Sequence, residues 1–330
     1  MRTGPYPASR AKFVEDRPLC AIYIFPFVHP ELINRPDSSS LRSIHYAAFV
    51  DQVEIVKYLA EQGADLLPLD RLKRTPIHWA ANRLSLWADS TLVLEYLILQ
   101  IQTRENLGTV WTPSGPKMRT LLHWAAELAQ PNHLAALLEL EESLDANSTD
   151  AEGKTPLMLT AESSAGPAAV KCAEILLKHS PYCLAVQDSE GFSALHFAAV
   201  MNNTDMLEVL LSTSLSDCNV LDNNFRTPLH WACRMGNTDA IEVLCSHGAE
   251  LTRDATGLTP LHCAIQFGFT ESVKCLVESA GLTQDLVDGK ARSCLALSAG
   301  LGHLEMMRFL LARLTIDADQ RDHGGNTGAI

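Results

Sequence analysis

Aromatic residues make up only 6% of the 330-residue chain, and its 26 Lys and Arg are outnumbered by 39 Asp and Glu. The resulting formal charge of -13 excludes a phosphate-binding surface over the whole molecule, because polyanions are captured by clustered cations. Few aromatics within a hydrophobic fraction of 47% point to helices packed through Leu, Ile, Val and Ala. No CxxC pair occurs among the nine scattered cysteines, an odd number that suits reduced thiols better than a disulfide framework. Long apolar runs are missing too. The strongest candidate, "LCAIYIFPFV" at residues 19–28, is too short to span a bilayer and is interrupted by Pro26. Glu15 and Asp16 precede it and no small-x-small site follows, which argues against a signal peptide. A Gly-rich phosphate loop, a GxSxG elbow, HExxH and DxDxDG are all absent. The expectation is a cytoplasmic chain, with the nucleus as the other option, that is not an enzyme and needs no cofactor.

What the chain has instead is repetition. "FRTPLHWACRMGNTDAIEVLCSHGAEL" at 225–251 is followed by "GLTPLHCAIQFGFTESVKCLVESAGL", and weaker versions precede both. Aligned on the Leu-His pair, equivalent positions fall at His45, His78, His123, Met158, His196, His230, His262 and Ala296, spaced by 33, 45, 35, 38, 34, 32 and 34 residues. One unit reads as a helical hairpin with a turn. Asp222 opens a polar turn, and Thr227 precedes a proline at the first helical position, where a missing N–H costs nothing. Leu229, Ala232 and Cys233 follow helical spacing up to Gly236. A second helix begins near Thr238, buries Ile241, Val243 and Leu244, and stops at Gly248. One such hairpin cannot hide its own apolar faces, so neighbours must stack.

The period near 33 and the T-P-L-H-x-A motif resemble the ankyrin-repeat family. The resemblance covers residues 30–330 and implies an all-α solenoid of eight helix-turn-helix units with short β-like turns, and an incomplete ninth at 322–330. Residues 1–29 carry no recognisable pattern. The abrupt stop after the restarted motif creates an expectation that the chain is truncated, an isoform or a faulty gene model. Extra residues between His78 and His123 fall in "RLSLWAD" and "QTRENLGTVWTPSGPK", and "ESSAGPAAV" lengthens the fourth unit, so these read as loops available for contact.

The motif histidines His45, His78, His123, His196, His230 and His262 invite a metal or catalytic reading. Stacked helices stand roughly 10 Å apart, too far for one metal whose nitrogen ligands lie about 2 Å away. The family resemblance implies a structural role, each imidazole joining a Thr hydroxyl to the backbone of the neighbouring turn. Units with Met158 or Ala296 there are expected to be less tightly tied. Cys233, Cys245, Cys263 and Cys275 occupy positions of small apolar residues, so burial explains them better than zinc.

Function is expected where the family varies, along the concave face. Arg71, Lys73, Arg74, Lys117, Arg119, Lys154, Arg226, Lys290 and Arg292 occupy the turn slots, with Arg234, Met201, Met235 and Phe267 further in. The groove therefore reads as basic and partly apolar, suited to an acidic or amphipathic peptide of another protein. Second helices carry Glu139, Glu174, Glu208, Glu242, Glu271 and Glu305. "LSTSLSDCN" resembles the pattern for asparaginyl hydroxylation at Asn219, although Asn is also an ordinary turn former. The "HWAA" and "HWAC" units resemble inversin-like ankyrin proteins, which implies a ciliary or signalling scaffold of monomeric form. The alternative is the ankyrin portion of a larger acyltransferase or channel. Direct nucleic-acid binding is opposed by the acidic total.

Overall fold

The computed structural model of the chain describes residues 32–81, 91–102, 113–140, 144–315 and 323. The expectations for residues 1–29, for "RLSLWAD", for "QTRENLGTVWTPSGPK" apart from Gln102 and residues 113–117, and for the ninth repeat apart from His323 fall outside the described residues.

Sixteen α-helices form among the described residues, as eight consecutive pairs. They are α1 (Ser43–Phe49) with α2 (Val53–Glu61), α3 (Pro76–Ala81) with α4 (Leu92–Gln102), and α5 (Leu121–Glu127) with α6 (Pro131–Leu140). Then follow α7 (Pro156–Glu162) with α8 (Pro167–His179), α9 (Ala194–Val200) with α10 (Thr204–Leu211), and α11 (Pro228–Met235) with α12 (Thr238–Ser246). The series ends with α13 (Pro260–Gln266) and α14 (Thr270–Ser279), then α15 (Cys294–Gly300) and α16 (Leu304–Arg313). No strand forms among these residues, and pairing is limited to isolated bridges such as Ser114 with Arg119.

The helices belong to two compact units, Met1–Leu128 with Asn132–Leu144, and Ala129–Pro131 with Asp145–Ile330. Within the first, α3 packs on α1 and α5, and α4 on α2. Within the second, the first helices of successive pairs stack in the order α7, α9, α11, α13, α15, and the second helices in the order α8, α10, α12, α14, α16. This stacking follows from the residues. In the pair α11 and α12, Leu229, Ala232, Cys233, Ala240, Ile241 and Leu244 are all fully buried. Each buried Leu or Ile contributes about 1.5–3 kcal/mol, and the alanines between them let neighbouring backbones approach closely.

Caps set the helix limits. Thr227 accepts the His230 N–H and Pro228 opens α11, while Gly236 ends it at φ 81°. The Cβ that glycine lacks there would lie 2.7 Å from the Phe269 ring of the next pair, so the residue serves both the left-handed turn and close packing.

The polar turns share one device. Asp222 Oδ1 accepts the N–H groups of Asn224 and Arg226, each at 2.8 Å. Asp37, Asp70, Asp150, Asp188, Asp254 and Asp288 grip the second and fourth residues after them in the same way. Tightening the chain this far drives one residue per turn into the left-handed region: Ser40, Lys73, Gly153, Gly191, Phe225, Gly257 and Ala291. The turn before α5 departs from the rule. Ser114 stands there and closes the loop chiefly through backbone bonds, its N–H donating to Arg119 C=O at 2.8 Å and its C=O accepting the Arg119 N–H at 3.0 Å, while its hydroxyl lies 3.5 Å from the Arg119 carbonyl.

His45, His196, His230 and His262 each tie a turn to the next. Thr227 N–H donates to His230 Nδ1 at 3.1 Å, which leaves the proton on Nε2 to donate to the Leu258 carbonyl of the following turn at 3.1 Å. His45 reaches Pro68 C=O and His196 reaches Arg226 C=O in the same way. His262 is held more loosely, 3.4 Å from Arg292 C=O, with Cys294 Sγ at 3.6 Å. Cys294 fills the place that proline takes before α11 and α13, and its free N–H donates to Asp285 at 3.0 Å.

Candidate functional site

The cations singled out in the sequence separate into two groups. Arg71, Lys73 and Lys290 are exposed at turn tips and Lys117 is half-buried. The others are bound within the chain. Arg74 pairs with Asp70 at 2.8 Å and lies 4.4 Å over the Trp79 ring, and Arg119, itself buried, pairs with Glu127 at 2.6 Å. Lys154 pairs with Glu162 at 2.7 Å, Arg226 with Asp254 at 3.1 Å and Arg292 with Asp288 at 2.7 Å. Arg234 is stacked over Phe267 at 4.6 Å and near Trp231 at 5.5 Å. Sequence spacing identified these side chains but not their partners, because the carboxylates come from the same turn for Arg74 and Arg292, from the end of the following helix for Arg119 and Lys154, and from the next repeat for Arg226. Burial pulls Asp254 toward its neutral form, yet bonds from Thr256, Leu258 and Arg226 outweigh it and hold the carboxyl below its ordinary range.

The apolar candidates behave differently. Met201 and Phe267 immediately follow α9 and α13 and are each 43% exposed, and Met235, the last residue of α11, is 42% exposed. Leu301, overlooked in the sequence, follows α15 and is 45% exposed. Each stands eight residues beyond its N-cap residue, Ser193, Thr227, Thr259 or Ser293. Because α9, α11, α13 and α15 stack one on the next, these four equivalent positions follow one another from repeat to repeat as a row. Exposed apolar residues scattered singly need no explanation, whereas the same position left apolar and exposed in successive repeats gives one face a consistent apolar character. Identical register was the signal that would have found Leu301.

Burial lowers the His45, His196, His230 and His262 pKa values below 6.5, so these imidazoles stay neutral. Cys233 and Cys263 are buried, whereas Cys245 and Cys275 are half-buried. Burial pushes the Cys263 thiol up to about 12 and Cys245 up to about 11, away from thiolate chemistry. Among the described residues no group of three or more His, Cys, Asp and Glu is arranged to hold a metal ion. No helix among them is long and apolar enough to cross a membrane. Asn219 sits in a turn, where its side-chain carbonyl accepts the Glu250 N–H at 2.8 Å. The outer-surface glutamates Glu139, Glu174, Glu208, Glu242, Glu271 and Glu305 are exposed.

Comparison with known proteins adds family and relatives. A model of ankyrin repeats in three copies matches residues 122–222 and 214–288, just over half of the chain, and a single ankyrin-repeat model matches residues 43–71. Inversin of Canis lupus familiaris is 30% identical over 190 residues, covering 57% of this chain and 16% of that protein. Human inversin matches to the same extent. Palmitoyltransferase ZDHHC13 of Mus musculus is 30% identical over 186 residues, covering 56% of this chain and 27% of its own length. The matched part is thus about a sixth to a quarter of these relatives. Hairpin pairs, His-tied turns and the family matches agree, and the chain belongs to the ankyrin-repeat family, whose repeats bind other proteins.

Proposed function

We propose that the chain is a non-enzymatic scaffold that holds a segment of another protein along the first-helix face of its second unit, the family's concave side. The row of Met201, Met235, Phe267 and Leu301 carries this reading, since apolar side chains at one position of four consecutive repeats stay 42–45% exposed, although Arg234 lies over the Phe267 ring. Lys73 and Lys290 at exposed turn tips add peripheral charge that steers a partner rather than anchoring it. Likeness to inversin supports a role in ciliary or signalling complexes, acting from the cytoplasm. Affinity capture from cells tests the proposal with the full chain and a variant carrying Met201→Ser, Met235→Ser, Phe267→Ser and Leu301→Ser, both shown folded by circular dichroism. Loss of specific partners from the variant is the expected result. Retention of the same partners would move recognition elsewhere.

A second reading draws on the palmitoyltransferase, of which the match covers 27%. Here the repeats are the recruiting portion of a larger membrane enzyme. Transcripts that extend the reading frame into membrane-spanning segments would favour it, and transcripts ending after Ile330 would count against it.

A further inference from the structure

The partner's chemistry follows from what flanks the apolar row, and this deepens the scaffold reading on which it rests. Four residues beyond Met201, Met235, Phe267 and Leu301 stand Asp205, Asp239, Glu271 and Glu305, every one exposed. A left-handed residue separates row from acid in each repeat, Asn202, Gly236, Gly268 or Gly302, so both lie at the corner where the chain turns from first helix to second. These carboxylates are lightly held. Among the described residues Glu271 and Glu305 pair with Lys274 and Arg308 of their own helices, in exposed pairs of a kind worth about 0–1 kcal/mol. Asp239 takes the Asn202 amide at 3.0 Å.

On the opposite flank Lys290 is exposed at its turn tip, but the arginines are engaged within the chain. Arg226 and Arg292 are neutralised by Asp254 and Asp288, and Arg234 is pinned on the Phe267 and Trp231 rings. An acidic partner would have to displace buried carboxylates from those arginines, whereas a basic one meets acids already facing water.

Spacing decides the partner's conformation. Stacked helices stand roughly 10 Å apart, and seven residues of α-helix advance about 10.5 Å. A helix laid along the row therefore presents side chains at i, i+7, i+14 and i+21 to the four apolar residues in turn. Three residues of extended strand also advance about 10 Å, but an odd step points successive side chains to opposite faces.

We propose that the row docks an amphipathic helix of a partner protein whose apolar stripe repeats every seven residues and whose flank facing the acids carries Lys and Arg.

Fluorescence anisotropy of the full chain tests this with two labelled helical peptides that share a leucine stripe of seven-residue period, one flanked by lysines and the other by glutamates. The lysine peptide is expected to bind more tightly. Its affinity should fall about tenfold or more in the Met235→Ser, Phe267→Ser variant, and about tenfold, with loss of salt dependence, in the Asp205→Asn, Asp239→Asn, Glu271→Gln, Glu305→Gln variant. Tighter binding of the glutamate peptide with the same dependence on Met235 and Phe267 overturns the basic assignment and leaves the docking face standing. Binding of neither peptide, or binding indifferent to Met235 and Phe267, overturns the helical partner and the docking face together.

Discussion

The turn at Asp222 and the turn at Ser114 close equivalent loops with different chemistry. At Asp222 one carboxylate oxygen gathers two backbone N–H groups while the other accepts Trp231 Nε1–H at 3.0 Å. Asp70 serves Trp79 and Arg74 in the same double manner. At Ser114 no carboxylate is available. The loop is one residue longer, Arg119 turns instead to Glu127, and the buried Trp124 indole N–H finds no hydrogen-bond partner among the described residues. One acidic side chain therefore organises turn, cation and aromatic together. Where it is lost the backbone still closes, but the surrounding donors must find other acceptors or go without.

Removing the carboxylate where it works should have the largest effect. Asp222→Ala strands several donors at once and should cost about 3 kcal/mol or more, against about 1 kcal/mol or less for Ser114→Ala, measured by urea unfolding. Comparable losses at the two sites would dissolve the distinction between the turns.

Acid should produce a smaller, distributed loss through the histidines. Burial lowers the folded-state pKa of His45, His196, His230 and His262 below 6.5, so unfolded imidazoles take up protons at a pH where folded ones do not. Stability from these groups is complete above about pH 6.5 and declines as pH falls. Melting temperatures between pH 7.5 and pH 5.5 should drop, and replacing His230 by Asn should flatten that slope while lowering stability at pH 7.5. A steeper slope in the variant would contradict the neutral imidazole.

The smallest effect separates the tryptophans. Trp231→Phe gives up a bond to Asp222 and Trp124→Phe gives up none, so the first should cost about 1 kcal/mol more than the second. Equal costs would mean that Trp124 has an acceptor after all.

Much of the fold was legible in the residues. Thr227 and Pro228 announce the start of α11, Gly236 and Gly248 announce helix ends, and the recurring histidines announce their own spacing. The face was legible only in part. Met201, Met235 and Phe267 were found by position, but Leu301 was passed over because its repeat lacks both the motif proline and the motif histidine. The basic groove read from Arg74, Arg119, Lys154, Arg226 and Arg292 counted charges without their partners, and the partners arrive through folding.

By itself, then, the sequence determined that the protein is a series of paired helices, because caps, prolines, glycines and helical periodicity act over a few residues and repeat where the motif repeats. Tertiary structure alone decided which charges remain available and which apolar residues align. Ion pairs such as Arg226 with Asp254, and the row through Met201, Met235, Phe267 and Leu301, join residues about a repeat apart, and only stacking brings them together.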